Sequence, residues 1–262
     1  MTKVQTVLIT GATSGIGRAY ADFYAKQQAT LILVSRTESK LKKEKERLIK
    51  QYNVSVAYIV ADLTQEYAAK AVFEQVTQLG LTVDVLINNA GVGYNGAVQE
   101  IDLERQHEEI SLDILTVVDM CHLFVGPMIK KGTGTIVNLA STTAYYAVPQ
   151  MATYGASKAF VLSFTEAFSA EVRSQGIRVL CVSPGPTDTN FFAPDRGIAY
   201  GQLRKAEDVV QTTIKGLKKK SASVIDGATN YVMSGIVPRL VSRNFVLRYV
   251  ERTMEKLTAN PE

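Results

Sequence analysis

Two kinds of pattern alternate along the chain. Short runs of apolar, largely β-branched residues recur at VQTVLIT (4–10), TLILVS (30–35), VSVAYIV (54–60), VDVLIN (83–88), GTIVNLA (134–140), IRVLCVS (177–183) and SASVID (221–226). Between them lie longer stretches whose apolar positions return at helical spacing. A strand that is apolar throughout needs cover on both faces, and helices between successive strands supply it. The pattern therefore predicts an α/β fold, a doubly wound, seven-stranded parallel sheet with helices on both faces. Two long helices are expected over 102–131 and 152–175. No repeat or low-complexity linker interrupts the alternation, so residues 1–262 read as a single domain.

Charge changes this picture little. With 29 basic and 25 acidic residues the net charge is +4, mild for 262 residues and far from that of a dedicated nucleic-acid binder. A small molecule is the expected partner, not a nucleic acid. SKLKKEKERLIK (39–50) and KKK (218–220) read as solvated faces. Cys121 and Cys181 lie in apolar segments without metal-ligand spacing and read as buried thiols, which suits a reducing cytoplasm. MTKVQTVLIT runs straight into a strand without a signal-type apolar region, and no uncharged apolar run approaches membrane-spanning length. Stable membrane insertion is not expected. His107 and His122 are too far apart on one helix to form a ligand pair, and no metal is called for. In the tail, 229–258, Arg248, Arg252 and Lys256 form one stripe and Val246, Val250, Met254 and Leu257 another. Core or subunit packing is the first reading of that tail, contact with membrane lipid the second.

The first candidate chemistry is TGATSGIG, directly after the first strand and directly before the helix RAYADFYAKQQ. Glycines at 11, 15 and 17 let a pyrophosphate approach the backbone, while the N–H groups and dipole of the helix N-terminus face it. At the end of the second strand, Ser35 stands where a site for NAD(H) usually places an acid. Arg36 follows, with a planar guanidinium suited to a 2′-phosphate. NADP(H) is thus preferred over NAD(H), with Glu38 as a rival acid and a plain surface arginine as the other reading of Arg36.

The spacing T-G-x-x-x-G-x-G resembles the short-chain dehydrogenase/reductase family, and the family's other motifs follow in its order across nearly the whole chain. These are Asp62 and Leu63 after the third strand, NNAG (88–91) after the fourth, Ser141 after the fifth, Tyr154 and Lys158 in YGASKAF, and PGPTDT (184–189) after the sixth. The resemblance implies cofactor contacts from Gly11, Thr13, Ser14, Gly15, Ile16 and Gly17, and from Asp62 and Leu63 at the adenine. It implies further contacts from Asn89, Ala90 and Gly91, and from Pro184, Gly185, Thr187 and Thr189 at the carboxamide. It also implies hydride transfer between a nicotinamide cofactor and a carbonyl or secondary alcohol.

In that chemistry Tyr154 is the general acid/base, Ser141 orients the substrate oxygen, and Lys158 lowers the tyrosine pKa and binds the cofactor ribose. The family's fourth catalytic residue is an asparagine, and here its position falls on Asp113. Segment 186–204 corresponds to the variable substrate lid. Phe191, Phe192 and Tyr200 there, with Tyr94, Tyr145, Tyr146 and Met151, suggest an apolar substrate, although such aromatics also anchor loops. The wording QMATYGASKAF is most similar to bacterial general NADP-dependent reductases related to keto-steroid and keto-acyl reductases. Two other functions stay open: a non-catalytic NADP-binding redox sensor, and an epimerase or dehydratase of the same family. The long helices would form a homodimer or homotetramer.

Overall fold

The computed structural model describes residues 4–189, 191 and 203–259. Seven parallel strands form one sheet in the order β3-β2-β1-β4-β5-β6-β7. They are β1 Thr6–Thr10, β2 Thr30–Ser35, β3 Val56–Val60, β4 Val85–Asn88, β5 Gly134–Leu139, β6 Ile177–Ser183 and β7 Ser223–Ile225. All seven predicted strands are present, trimmed where the apolar run extends past the last paired neighbour. The strand order reverses direction between β1 and β4, the point at which open α/β sheets leave a crevice at their carboxyl ends.

Alternation along each strand explains why the runs are apolar throughout. In β1, Leu8 enters one core layer while Val7 and Ile9 enter the other. In β2 the same split separates Ile32 and Val34 from Leu31 and Leu33, and in β6 it separates Val179 and Cys181 from Leu180 and Val182. Helices α1 (Gly15–Lys26), α2 (Glu38–Tyr52) and a late helix, Ala206–Lys219, cover one face. Helices α3 (Ala68–Gln78), α5 (Thr116–Lys131) and α6 (Ala152–Val172) cover the other, with α4 (Leu103–Ile110) packed against α6.

Helices α4 and α5 are one continuous rod joined by a π-helical turn, Ser111–Leu115. By length and composition the run Leu103–Lys131 could cross a membrane, with a window of mean hydropathy 1.6, a feature that its scattered charges concealed in the sequence. In the fold it is a core helix, packed on α3 and β5 and contacting α6. The C-terminal helix, Arg243–Ala259, returns over the carboxyl end of the sheet. There Met254 and Val250 pack on Val148, Met151 and Tyr154 while Arg248 and Arg252 stay exposed. Val250 and Met254 of its apolar stripe therefore pack inward, while the side chain of Leu257 lies outside the described residues.

Candidate active site

A cavity of about 900 Å³ opens over the carboxyl ends of the central strands. Its floor is the glycine loop. Gly11 has a positive φ of +64°, and Ser14 precedes α1 in extended conformation without capping it through its side chain. The first-turn N–H groups of α1 are thus left for an anion, with Gly15 and Ile16 on the cavity wall. Gly17 lies beneath the cavity. A β-carbon there would come within 2.2 Å of the Gly11 carbonyl oxygen, so this glycine serves close packing of loop and helix.

The loop after β4 is stitched to the glycine loop. The Thr10 hydroxyl accepts from the backbone N–H groups of Asn89 and Ala90 at 3.0 and 2.9 Å, and Asn89 Nδ2 donates to the Thr10 carbonyl at 2.9 Å. Asn89, Ala90 and Gly91 line the cavity, as do Asp62 and Leu63, Thr13 and Ser14, and Pro184, Gly185, Thr187 and Thr189. Asp62 also holds its own turn, accepting from the backbone N–H and hydroxyl of Thr64 at 3.1 and 2.7 Å.

At the far rim, Ser35, Arg36 and Lys40 line the cavity together. Lys40, in the first turn of α2, was missed in the sequence because it lay in a run read as a solvated face. Arg36 is not free. Its Nη1 lies 2.9 Å from Glu108 Oε1, and the second oxygen of Glu108 accepts from the Tyr94 hydroxyl at 2.5 Å. Tyr94 is therefore committed to that network and lies outside the cavity lining, a correction to its expected place beside the substrate. Tyr145 is likewise outside it, its hydroxyl 3.4 Å from Ser183 Oγ. Tyr146, Met151 and Phe191 do line the cavity, and the Phe191 ring lies 5.9 Å from the Tyr154 ring. Phe192 and Tyr200, with most of segment 186–204, lie outside the described residues.

Ser141, Tyr154 and Lys158 meet at the inner end. Tyr154 and Lys158 project from one face of α6, while Ser141 lies just after β5 and caps the turn that follows, accepting from Thr143 N–H at 3.2 Å. Lys158 Nζ is 2.9 Å from Asp113 Oδ2, and both side chains are almost wholly buried, at 6% and 0% exposure. The position that lacks the asparagine thus sits on the lysine. Asp113 Oδ1 accepts from Val92 N–H at 3.1 Å, so the same carboxylate also fixes the loop after β4.

Burial pushes the Tyr154 hydroxyl above its ordinary value, and Lys158 only partly opposes this. The sequence reading expected the lysine to set the net direction; in the structure desolvation outweighs it. Burial acts to lower Lys158, but Asp113 and Tyr154 more than offset it and hold the ammonium charged. Burial raises Asp113 as well, against the pull of Lys158.

Glu109 joins this cluster and was not anticipated. It is fully buried one helical turn before Asp113, and its Oε1 accepts from Tyr94 N–H at 3.4 Å. Burial first and Asp113 second push its carboxyl up to about 8. The i, i+4 spacing of Glu109 and Asp113 was visible in the sequence; burial of both carboxyls was not. Also missed were Tyr249, Val250, Thr253 and Met254 of the C-terminal helix, which wall the cavity mouth. Among the described residues no cluster of three or more metal-ligating side chains occurs.

Comparison with known proteins adds four findings. Residues 5–197 match the family model described as short chain dehydrogenase. Sulfoacetaldehyde reductase 2 of Chromohalobacter salexigens is 37% identical over 187 residues, covering 71% of this chain and 73% of that protein. Ketoacyl reductase HetN of Nostoc is 30% identical over 224 residues, 84% of this chain and 78% of that one. Among solved structures, a short-chain dehydrogenase from Sphingobium yanoikuyae in complex with NADPH superposes with a TM-score of 0.80 at 26% identity, covering 99% and 97% of the two chains.

Proposed function

Because the chain belongs to the short-chain dehydrogenase family and is an oxidoreductase of carbonyl and alcohol groups, we propose that it uses NADPH to reduce an apolar ketone or aldehyde, with Tyr154 as the proton donor. The observation that carries this reading is the meeting of Ser141, Tyr154 and Lys158 at one end of a cavity whose other end presents Ser35, Arg36 and Lys40. The residues fit the cofactor. The free first turn of α1 suits a pyrophosphate, and two cations with no acid at the end of β2 suit a 2′-phosphate rather than paired ribose hydroxyls. The Arg36–Glu108 pair means that such a phosphate competes with a carboxylate for the guanidinium.

When bound, NADPH supplies the hydride. The protein's own part is to manage the negative charge that grows on the substrate oxygen. Ser141 donates a hydrogen bond to that oxygen and fixes its direction. The Tyr154 hydroxyl gives up its proton, and the buried ammonium of Lys158 stabilises the tyrosinate left behind. A tyrosine whose burial raises its pKa is protonated at neutral pH, the form that reduction of a carbonyl requires. Apolar lining from Val148, Met151, Phe191 and Met254 favours an apolar substrate, and a ketoacyl reductase among the relatives supports the same choice.

Self-association is supported by the Phe160–Phe164–Phe168 ladder along α6, with ring spacings of 5.9 and 5.6 Å, and by exposed Leu103, Ile110 and Leu115 on the rod beside it. The test is NADPH oxidation against a panel of apolar ketones and aldehydes. Wild type should turn over, and Tyr154→Phe should lose about 10²- to 10⁴-fold in kcat while still binding NADPH. Full activity in Tyr154→Phe would overturn the assignment. Binding of NADPH without turnover of any carbonyl would favour the redox sensor.

A further inference from the structure

Two carboxyls and one ammonium share a buried site, and their charges do not balance. Asp113 holds Lys158 at 2.9 Å. Glu109 has no ion-pair partner among the described residues, and its Oε2 is buried without a hydrogen-bond partner. The titratable groups that face it are Asp113 on its own rod, Lys158 and Tyr154 from α6, and the neighbouring Tyr94 after β4. Arg105 lies over the Tyr94 ring, and Arg36 is paired with Glu108, so neither compensates Glu109. A second uncompensated anion in such a place is costly, and the usual resolution is protonation of one of the two acids. Asp113 has the ammonium, so the proton belongs to Glu109. Since Oε1 accepts the Tyr94 N–H, the proton sits on Oε2.

We infer that Glu109 is the proton reserve of this cluster, a positioning residue that resupplies Lys158 through Asp113 after Tyr154 has given its proton to the substrate oxygen. The idea rests on the role of Tyr154 and Lys158 proposed above. The bookkeeping closes without an outside group beyond solvent. The Tyr154 O–H bond breaks as the substrate O–H bond forms, and a Lys158 N–H proton then passes to the tyrosinate oxygen. The Glu109 proton passes by way of the Asp113 carboxylate to the amine of Lys158, and solvent finally reprotonates Glu109. Reduction consumes a proton each turnover, so a stored one beside the lysine keeps the tyrosine loaded.

The rival role is purely structural, since Glu109 and Asp113 together grip the loop 91–94 through the N–H groups of Tyr94 and Val92. Glu109→Gln separates the two, because an amide oxygen still accepts the Tyr94 N–H but the side chain carries no acidic proton. The experiment is the pH profile of kcat for NADPH-dependent reduction in wild type, Glu109→Gln, Glu109→Asp and Tyr154→Phe. Wild type should decline as pH rises through about 8. Glu109→Gln should fall about tenfold below that pH and lose the decline, with KM for the ketone within about twofold. Glu109→Asp should keep a decline at a shifted midpoint.

A Glu109→Gln profile that matches wild type would overturn the inference while leaving the function intact, whereas an active Tyr154→Phe would remove the reading beneath it. Infrared titration of the wild-type protein gives an answer even if the variant does not fold. A protonated carboxyl band that disappears near pH 8 supports the reserve, and its absence at neutral pH refutes it.

Discussion

Lys158–Asp113 and Arg36–Glu108 are ion pairs of the same length, 2.9 Å, at opposite ends of one cavity, and their surroundings make them different devices. The first has side chains 6% and 0% exposed, the second 52% and 25%. A buried pair is held because separating it would strand a charge in a poorly polarisable interior, so breaking it costs far more than forming it gained. An exposed pair exchanges readily with water and ions and holds about 1 kcal/mol at most. The inner pair can therefore fix protonation states, while the outer pair can yield to a ligand.

The contrast is sharpest at Asp113. Asp113→Ala strands the Lys158 ammonium and should destabilise the protein by about 3–5 kcal/mol, read by denaturant unfolding. A loss near zero would mean that the inner pair behaves like the outer one. Asp113→Asn keeps the shape and the acceptor for Val92 N–H, so an active enzyme is expected. An amide at this position cannot pass the Glu109 proton to Lys158, so the alkaline decline of activity should be lost, as in Glu109→Gln.

Glu109 should also leave a mark on stability. The folded protein holds this proton up to about 8, whereas the ordinary value is 4.5. Between those values the folded state binds more protons than the unfolded chain, so rising pH disfavours folding, and the cost is complete above the folded pKa. Glu109→Gln should thus melt several degrees above wild type on the alkaline side, with the part of the difference due to ionisation vanishing toward pH 4.5. A gap independent of pH would place the effect in packing instead.

Smaller effects belong to the outer pair. Arg36→Asp should raise KM for NADPH roughly tenfold or more and that for NADH much less, the size expected for losing one charge-assisted contact. Equal changes for both cofactors would refute the 2′-phosphate role. Glu108→Gln frees Arg36 from its competitor and should tighten NADPH by a few-fold, with unchanged melting temperature. Weaker NADPH binding would show that Glu108 orients Arg36 rather than competing for it.

Most of the fold was legible because the strands are apolar on both faces, so each appears as a run without ambiguity of period. The cavity motifs were legible because each follows the end of a strand. Three features were hidden for physical reasons. The π-helical turn at Ser111–Leu115 carries no residue that distinguishes it from ordinary helix. Glu109 looked like one more charge in LERQHEEI, and only the packing of α4 against α6 makes it a core residue. Lys40 and the wall formed by Tyr249 and Met254 depend on long-range packing that local spacing does not encode. Tyr94 misled in the opposite way, an aromatic near the site whose hydroxyl is bound to Glu108.

The central claim is tested most directly by following the hydride. With NADPH carrying deuterium at both C4 positions of the nicotinamide and an apolar ketone, wild type should deliver one deuterium to the carbinol carbon for each NADPH oxidised, and Tyr154→Phe should do so at a rate about 10²- to 10⁴-fold lower. Binding of NADPH with no label in any alcohol product, or transfer at an equal rate by Tyr154→Phe, would contradict it.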